Sequence, residues 1–224
     1  MKTLHILLAL AAAAATPVSA LTLRILPWDD NVAERKLAIA FGEKTVETGY
    51  LHPAARSEPI SIPATATGLR LLALDRNGDD GKPAAVPLRV PAGVRKPLLL
   101  ILPDQKSKAG VRPLMIEDDQ SAFGWGTIRL INVSAKPVVF RWDKDAKLVP
   151  PGWKAVNVDP EGDSRNMEVF LYYKEDLKNP IYTAVWEHRT DMRQLVFVVP
   201  SANAAAGPFL FKFVPETRLP APAE

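Results

Sequence analysis

The chain has 224 residues, with 28 Lys and Arg against 25 Asp and Glu, a formal net charge of +3, and no cysteine. The near balance of charge, with basic residues spread along the chain, argues against a nucleic-acid-binding surface, which needs clustered Lys and Arg. Without cysteine there is no disulfide and no lipoprotein anchor, so packed apolar cores must stabilise the fold.

The N-terminus predicts export. Met1 and Lys2 give a short basic start, residues 4–15 form an apolar run, and residues 18–20 are small. This pattern is typical of a secretory signal peptide, here residues 1–20 with cleavage after Ala20. No later segment approaches the roughly 20 apolar residues of a membrane helix. We therefore expect a periplasmic or secreted protein without a membrane span.

Strand patterns dominate the first half of the mature chain. Short apolar or alternating runs, separated by Pro, Gly, Asn and Asp, occupy residues 21–26, 36–41, 60–62, 69–74, 86–90 and 98–102. No stretch sustains a helical period over three turns. The pattern predicts an all-β protein.

The second half repeats the proline spacing of the first half at an offset of 97 residues. The prolines that recur are Pro53, Pro63, Pro83 and Pro103, as Pro150, Pro160, Pro180 and Pro200. The apolar run 98–102 likewise maps onto 195–199, and the opening strand 22–26 resembles 127–131 at an offset of 105. A unit of this length fits a small domain rather than a solenoid repeat, so the sequence indicates an internal duplication.

About seven short strands per copy predict two tandem immunoglobulin-like antiparallel β-sandwich domains. The stretch around residues 104–112 is polar and contains Gly110. It separates domain 1 (21–105) from domain 2 (113–215) through a linker at 106–112. The Pro-rich tail 216–224 is expected to be disordered.

Two strands are apolar on both faces, 98–102 and 195–199. A two-layer sandwich with a solvated outside does not require this pattern. We expect a cover on their outer sides, supplied by the other domain, a second chain or a loop.

Candidate metal and catalytic motifs are weak. Residues 75–81 space their oxygen side chains as a calcium loop does, but Asp80 and Val86 stand where that loop needs Gly and Glu, so a hairpin turn is favoured. His188 neighbours Glu187, yet adjacent strand residues point to opposite faces, which predicts a partly exposed histidine. We therefore predict no metal site, no cofactor and no enzyme; carboxylate-only glycosidase chemistry stays an alternative.

Aromatic residues are concentrated in the second copy. Before residue 111 the chain has only Trp28, Phe41 and Tyr50. If the strands 167–173 and 181–188 pair as a hairpin, four rings could share one outer face and bind a partner: Phe170, Tyr172, Tyr182 and Trp186. The alternative is that these rings fill the core of the sandwich.

These observations predict a non-enzymatic binding or scaffold protein of the cell envelope, with recognition mainly by domain 2. The partner is an envelope protein or a polysaccharide, and the sequence does not fix the oligomeric state. A carbohydrate-binding module is one alternative; it requires an exposed planar strip that includes Tyr172 and Trp186.

A second alternative comes from a resemblance. Two immunoglobulin-like domains, a signal peptide and a slightly basic mature chain resemble the periplasmic pilus-assembly chaperones. The resemblance implies that an edge strand pairs with the chain of a subunit. The candidate edge is 86–90, which contains Pro87 and Arg89.

Overall fold

The structure, a computed structural model, describes residues 20–94, 96–203, 205 and 207–218. Residues 1–19 of the predicted signal peptide and residues 219–224 of the predicted tail lie outside the described residues. Within the described ranges, no helix has the length and apolar character needed to cross a membrane.

The first domain contains eight strands in two facing four-stranded sheets. In chain order they are β1 (Leu21–Pro27), β2 (Leu37–Phe41), β3 (Lys44–Glu47), β4 (Ile60–Ile62), β5 (Arg70–Asn77), β6 (Pro83–Pro87), β7 (Pro97–Pro103) and β8 (Val111–Glu117). One sheet has the order β4-β1-β7-β8 and the other β3-β2-β5-β6. A short helix, α1 (Asp30–Ala33), follows β1, and the Asp29 carboxylate caps it by accepting from the Val32 N–H.

The second domain repeats this arrangement strand for strand. Its strands are β9 (Ile128–Asn132), β10 (Val138–Trp142), β11 (Asp145–Val149), β12 (Ala155–Val158), β13 (Arg165–Tyr173), β14 (Tyr182–His188), β15 (Met192–Pro200) and β16 (Phe209–Thr217). The sheet orders are β12-β9-β15-β16 and β11-β10-β13-β14. The predicted tandem β-sandwiches are thus confirmed, while their immunoglobulin-like character stays a prediction.

Each sandwich contains one parallel strand pair within otherwise antiparallel sheets. In the first domain Arg24 of β1 lies opposite Leu98 of β7, and in the second Arg129 of β9 lies opposite Leu195 of β15. These registers identify Arg24 and Arg129 as equivalent positions of the two copies. The same reasoning makes Leu98 equivalent to Leu195.

The segment between the sandwiches lies further along the chain than the predicted linker. Strand β8 pairs with β7 from Val111 to Glu117, so residues 111–117 belong to the first sandwich. The polar stretch before β8 is instead a tight hairpin turn, in which Gly110 has φ +71° and its carbonyl accepts from the Asp104 N–H. The connecting segment is therefore 118–127. At the other end, Glu216 and Thr217 extend β16 into the predicted tail.

The predicted hairpin turn at residues 75–81 is confirmed. The Gly78 N–H donates to the Lys82 carbonyl at 2.7 Å, and the Gly81 N–H donates to the Gly78 carbonyl. The turn joins β5 to β6, which pair antiparallel. Backbone reversal accounts for the Asn-Gly and Asp-Gly content of this stretch.

Three apolar layers hold the molecule together. One fills the first sandwich and one fills the second. The third, here called the interdomain core, lies between the sheets β4-β1-β7-β8 and β12-β9-β15-β16 and draws residues from both domains. The four sheets therefore stack with a buried apolar layer between each neighbouring pair.

Equivalent positions of the two copies meet in the interdomain core. Its members include the pairs Leu26 and Ile131, Leu98 and Leu195, Leu100 and Phe197, Leu102 and Val199, and Ile116 and Val214. An interface built from the same patch on both partners is the arrangement of a two-fold symmetric dimer. Of the three covers expected for the apolar strands, the structure shows the other domain.

A buried ionic cluster borders this contact. The Asp118 carboxylate accepts from Arg56 of the first domain at 2.8 Å and from Arg193 of the second at 3.2 Å, and all three side chains are at most 4% exposed. Glu216 of β16 accepts from Arg24 of β1 at 2.6 Å and from Arg193 at 2.6 Å. The cluster thus ties the two domains by charge as well as by apolar contact.

The substitution Asp118→Asn tests the ionic cluster. It takes from the buried Arg56 and Arg193 one of their two carboxylate partners, the other being Glu216, so we expect the free energy of unfolding to fall by about 3 kcal/mol in urea titrations. Asp79→Asn is the matched control, because the Asp79 side chain is 83% exposed and forms its ion pair with the exposed Lys108. We expect the control to change stability by less than about 0.5 kcal/mol. Equal losses of unfolding free energy for the two substitutions would contradict a stabilising role of the ionic cluster.

Acid should weaken the domain contact through Glu216. Burial opposes ionisation of this carboxyl, but the hydrogen bond from Arg24 and the charges of Arg56 and Arg193 outweigh it and hold its pKa below the usual range. A lowered folded pKa gives stability that is complete above the unfolded pKa of about 4.3 and is lost as pH falls through the folded value. The difference in unfolding free energy between the native chain and Glu216→Gln should therefore be largest at neutral pH and should shrink towards zero in acid. A difference that does not vary with pH would refute this assignment.

Candidate functional site

The register of β13 and β14 separates the four predicted aromatic residues. Trp186 lies opposite Met167 and Tyr182 lies opposite Leu171, and directly opposed residues point to the same face. Because Met167 and Leu171 are fully buried in the core, Trp186 and Tyr182 face inward. Phe170, opposite Thr183, faces outward.

The prediction that all four rings share one outer face is therefore wrong. The two strands do pair as predicted, but the register places Tyr182 and Trp186 on one side of the sheet and Phe170 and Tyr172 on the other. A shift of one residue would have exchanged the faces of β14. Whether any of these residues binds a partner stays a prediction.

On the outer face, Phe170 and Tyr172 stack at 6.4 Å between ring centroids. The Arg141 guanidinium of the neighbouring β10 lies 4.6 Å from the Phe170 centroid and 5.8 Å from that of Tyr172. Tyr172 is only 6% exposed. This pair therefore offers little free ring surface to a planar ligand.

On the inner face, Tyr182 and Trp186 join two rings of β16. The Trp186 indole N–H donates to the Tyr182 hydroxyl at 3.1 Å. Phe211 lies 4.3 Å from the Tyr182 ring and Phe213 lies 5.0 Å from the Trp186 ring, measured between centroids. The four rings occupy the side of the second sandwich where β14 and β16, each the last strand of its sheet, lie across from one another.

A groove of about 520 Å³ opens between these two strands. It is lined by Tyr182, Ala184, Val185, Trp186, Glu187, Met192, Gln194, Phe213 and Pro215. Glu187 is the single charged residue of this lining. The buried Gln194 side-chain oxygen has no hydrogen-bond partner in the described part of the chain, so it is an acceptor without a donor beside an apolar groove. We call this feature the edge groove.

Strand β14 is the least protected strand edge of the described residues. Natural edges are shortened, or carry proline or lysine, to prevent pairing with other chains. The strands β3, β4, β11 and β12 have five residues or fewer, β6 begins and ends with proline, and β8 and β16 each contain proline. Strand β14 has seven residues with no proline, lysine or arginine, and Val185 at its centre is 62% exposed.

His188, at the end of β14, is 3% exposed, so the prediction of a partly exposed histidine is wrong. Its register opposite Arg165 places it on the same face as Trp186. Its Nε2 atom has no hydrogen-bond partner in the described ranges, and a cavity of about 190 Å³ that includes Asp159 and Trp125 adjoins it. Among the residues that the structure describes, no group of three His, Cys, Asp or Glu is placed to hold a metal ion.

Sequence reasoning found Tyr182 and Trp186 but missed the other wall of the edge groove. Phe209, Phe211 and Phe213 alternate along β16, which is a visible signal for one ring-bearing strand face. The alternation alone does not place these rings at the groove, because no sequence pattern shows that β14 and β16 lie opposite one another on the same side of the sandwich. Comparison of the sequence with protein-family models gave no match, and comparison with curated proteins gave none.

The two faces of β13 and β14 differ in their expected contribution to stability. Trp186→Ala removes a ring buried against Phe140, Phe211 and Phe213, so we expect a loss of about 3–5 kcal/mol of unfolding free energy. Phe170→Ala removes a half-buried outer ring and should cost about 1 kcal/mol. Denaturant titrations of both variants check the assignment of faces. A larger loss for Phe170→Ala than for Trp186→Ala would be incompatible with the register.

Proposed function

We propose that this is an exported, non-enzymatic binding protein of the cell envelope. Its second domain holds an extended polypeptide segment of a partner by adding that segment as a strand along β14. The observation that carries the proposal is the unprotected edge of β14 beside the apolar edge groove.

The backbone of β14 supports strand addition. Among the described strands it pairs with β13 alone, so every second N–H and C=O along its other side lacks a strand partner. An added strand satisfies these groups without regard to its sequence. The backbone hydrogen bonds would supply affinity, as in other complexes formed by strand addition.

The edge groove supports selection of the added segment. Successive residues of a strand point to opposite faces, so alternate side chains of a strand laid along β14 would enter the groove. Their neighbours there would be Trp186, Phe213 and Met192, which favours apolar side chains. A partner segment that alternates apolar and small polar residues fits this lining, and the free Gln194 oxygen could accept one hydrogen bond from it.

The first domain differs at the equivalent edge. Strand β6 has only five residues, Pro-Ala-Ala-Val-Pro, and proline at both ends removes backbone donors. Its edge is therefore protected where β14 is open. We assign the first domain the role of supporting the second.

This geometry argues against the carbohydrate-binding alternative and agrees in part with the pilus-chaperone alternative. Carbohydrate stacking requires an exposed strip including Tyr172 and Trp186, and each of these residues is 6% exposed and on a different face. The pilus-chaperone alternative shares strand pairing with our proposal. Its candidate edge at 86–90 overlaps the short β6, and for that reason we propose β14 instead.

The proposal is tested with synthetic eight-residue peptides in which Val or Phe alternates with Ser or Thr. Binding is followed by Trp fluorescence, and the location by hydrogen exchange. We expect a subset of peptides to bind and to protect the β14 amides. Val185→Lys should weaken binding by at least about tenfold, because a lysine on the edge blocks pairing.

The matched control is Val46→Lys, which places the same charge on the edge strand β3, where Val46 is 37% exposed. It should leave peptide binding unchanged. Equal affinity of the native and Val185→Lys chains, or protection only outside β14, would rule out strand addition there. If no peptide binds and an oligosaccharide panel does, the carbohydrate alternative is correct.

A further inference from the structure

The near-symmetric contact between the domains is broken by the connecting segment, which exists only once. Segment 118–127 leaves β8 and enters β9 on one side of the interdomain core. On that side Phe123 is fully buried, with the Arg129 guanidinium 4.5 Å from its ring centroid. In the part of the chain that the structure describes, which ends at Arg218, no such segment lies at the corresponding place beside Arg24.

The two equivalent arginines therefore have different surroundings. Arg129 donates to the Glu117 carbonyl, to the Ala122 carbonyl at 2.6 Å and to the Asn157 side-chain oxygen at 2.7 Å. Three oxygen acceptors, one of them from the connecting segment, therefore surround this guanidinium.

Arg24 has a single acceptor in the described part of the chain, the Glu216 carboxylate at 2.6 Å. The residue that corresponds to Asn157 is Pro59, because Asn157 lies opposite Arg129 and Ile60 lies opposite Leu23. Proline offers no side-chain oxygen there. Arg24 thus lacks the oxygen atoms that its equivalent receives.

A cavity of about 160 Å³ adjoins Arg24 and Pro59. It is lined by Thr22, Arg24, Pro59, Lys96, Pro97, Asp118, Gln120 and Arg193, and so contains residues of both domains. The Lys96 ammonium forms no ion pair within the described ranges. Its position is equivalent to that of Arg193, because Lys96 lies two residues before Leu98 and Arg193 lies two residues before the equivalent Leu195.

The charge around the cavity is positive. The carboxylate of Asp118 also lines it, but its oxygens already accept from Arg56 and Arg193. Four guanidinium groups border the interdomain core, those of Arg24, Arg56, Arg129 and Arg193. In the described ranges two carboxylates, Asp118 and Glu216, form ion pairs with three of them, and Arg129 bonds to neutral oxygens. Lys96 adds another cation at the cavity rim. Such an excess of positive charge attracts anions.

We propose that this cavity binds a small oxyanion, a carboxylate or a phosphate, held between the domains by Arg24 and Lys96. The anion's oxygens play beside Arg24 the part that the Glu117 and Ala122 carbonyl oxygens play beside Arg129, with the Thr22 hydroxyl and the Gln120 amide as further donors. Because Arg193 lines the same cavity from the second domain, the anion stabilises the association of the two sandwiches. This proposal does not depend on strand addition at β14.

The test uses the mature chain titrated with sodium phosphate or sodium succinate at constant ionic strength, with sodium chloride as the balancing salt. Binding is measured by calorimetry and by the thermal unfolding midpoint. We expect a saturable rise of the midpoint with at least one of the two anions, and the anion that gives it identifies the class of oxyanion.

Lys96→Gln should weaken binding by about tenfold or more, because it removes a charged donor without breaking any internal hydrogen bond. Lys96→Arg, which keeps the charge, should bind nearly as well as the native chain. Lys82→Gln is the matched control, since Lys82 is 81% exposed and remote from the cavity lining. The proposal is overturned if neither anion gives a saturable effect, or if Lys96→Gln binds as tightly as the Lys82→Gln control.

Discussion

The rest of the structure depends on one constraint, which is that β7 and β15 are apolar on both faces. A strand of this kind cannot remain at the surface of a two-layer sandwich, because its outer side chains need burial as much as its inner ones. The outer sides of β7 and β15 pack against one another, with Leu100 and Phe197 at equivalent positions of the contact. Burial of both strands therefore fixes how the two domains associate, and it explains why four sheets stack in one continuous series.

Association through equivalent faces also explains the ionic cluster. Arg129 and Arg193 lie on the central strands β9 and β15, so apolar packing buries their charges, while Arg24 on β1 stays partly exposed. An unpaired buried charge costs several kcal/mol, and Asp118 and Glu216 offset that cost across the domain boundary. Arg129 differs, because its acceptors in the described part of the chain are neutral oxygens, one of them the Ala122 carbonyl of the connecting segment. Among the described residues, the asymmetry between Arg129 and Arg24 arises because the connecting segment contacts Arg129 and not Arg24.

Much of the fold was predictable because it rests on local signals. Proline and glycine mark strand ends, the period of two marks strands, and the repeated apolar runs 98–102 and 195–199 reveal the duplication. The division between the domains was not predictable in the same way. Strand β8, Val-Arg-Pro-Leu-Met-Ile-Glu, has no regular alternation and contains Pro113, so its place beside β7 is set by pairing rather than by its own pattern.

The candidate site was predictable only in part, because its geometry depends on register. The connection between β13 and β14 is long enough to allow either register, and a change of one residue moves Trp186 from the core to solvent. The choice is made by packing, since Trp186 completes a cluster with Phe140 and Phe213 that β14 reaches in one register alone. Phe213 comes from a strand of the opposite sheet, and no local pattern links it to Trp186.

The contrast between the two outer edges of the molecule connects fold with function. Proline and lysine are two residues that protect a strand edge from pairing with another chain, and the first domain has proline in β6. The second domain uses neither in β14, although an open edge of seven residues invites aggregation in a protein that already contains strongly apolar strands. A feature that carries such a risk persists most readily where pairing along that edge is the function. The large rings of the second domain then have two roles, because Trp186 and Phe213 fill the core and at the same time form the wall against which an added strand would pack.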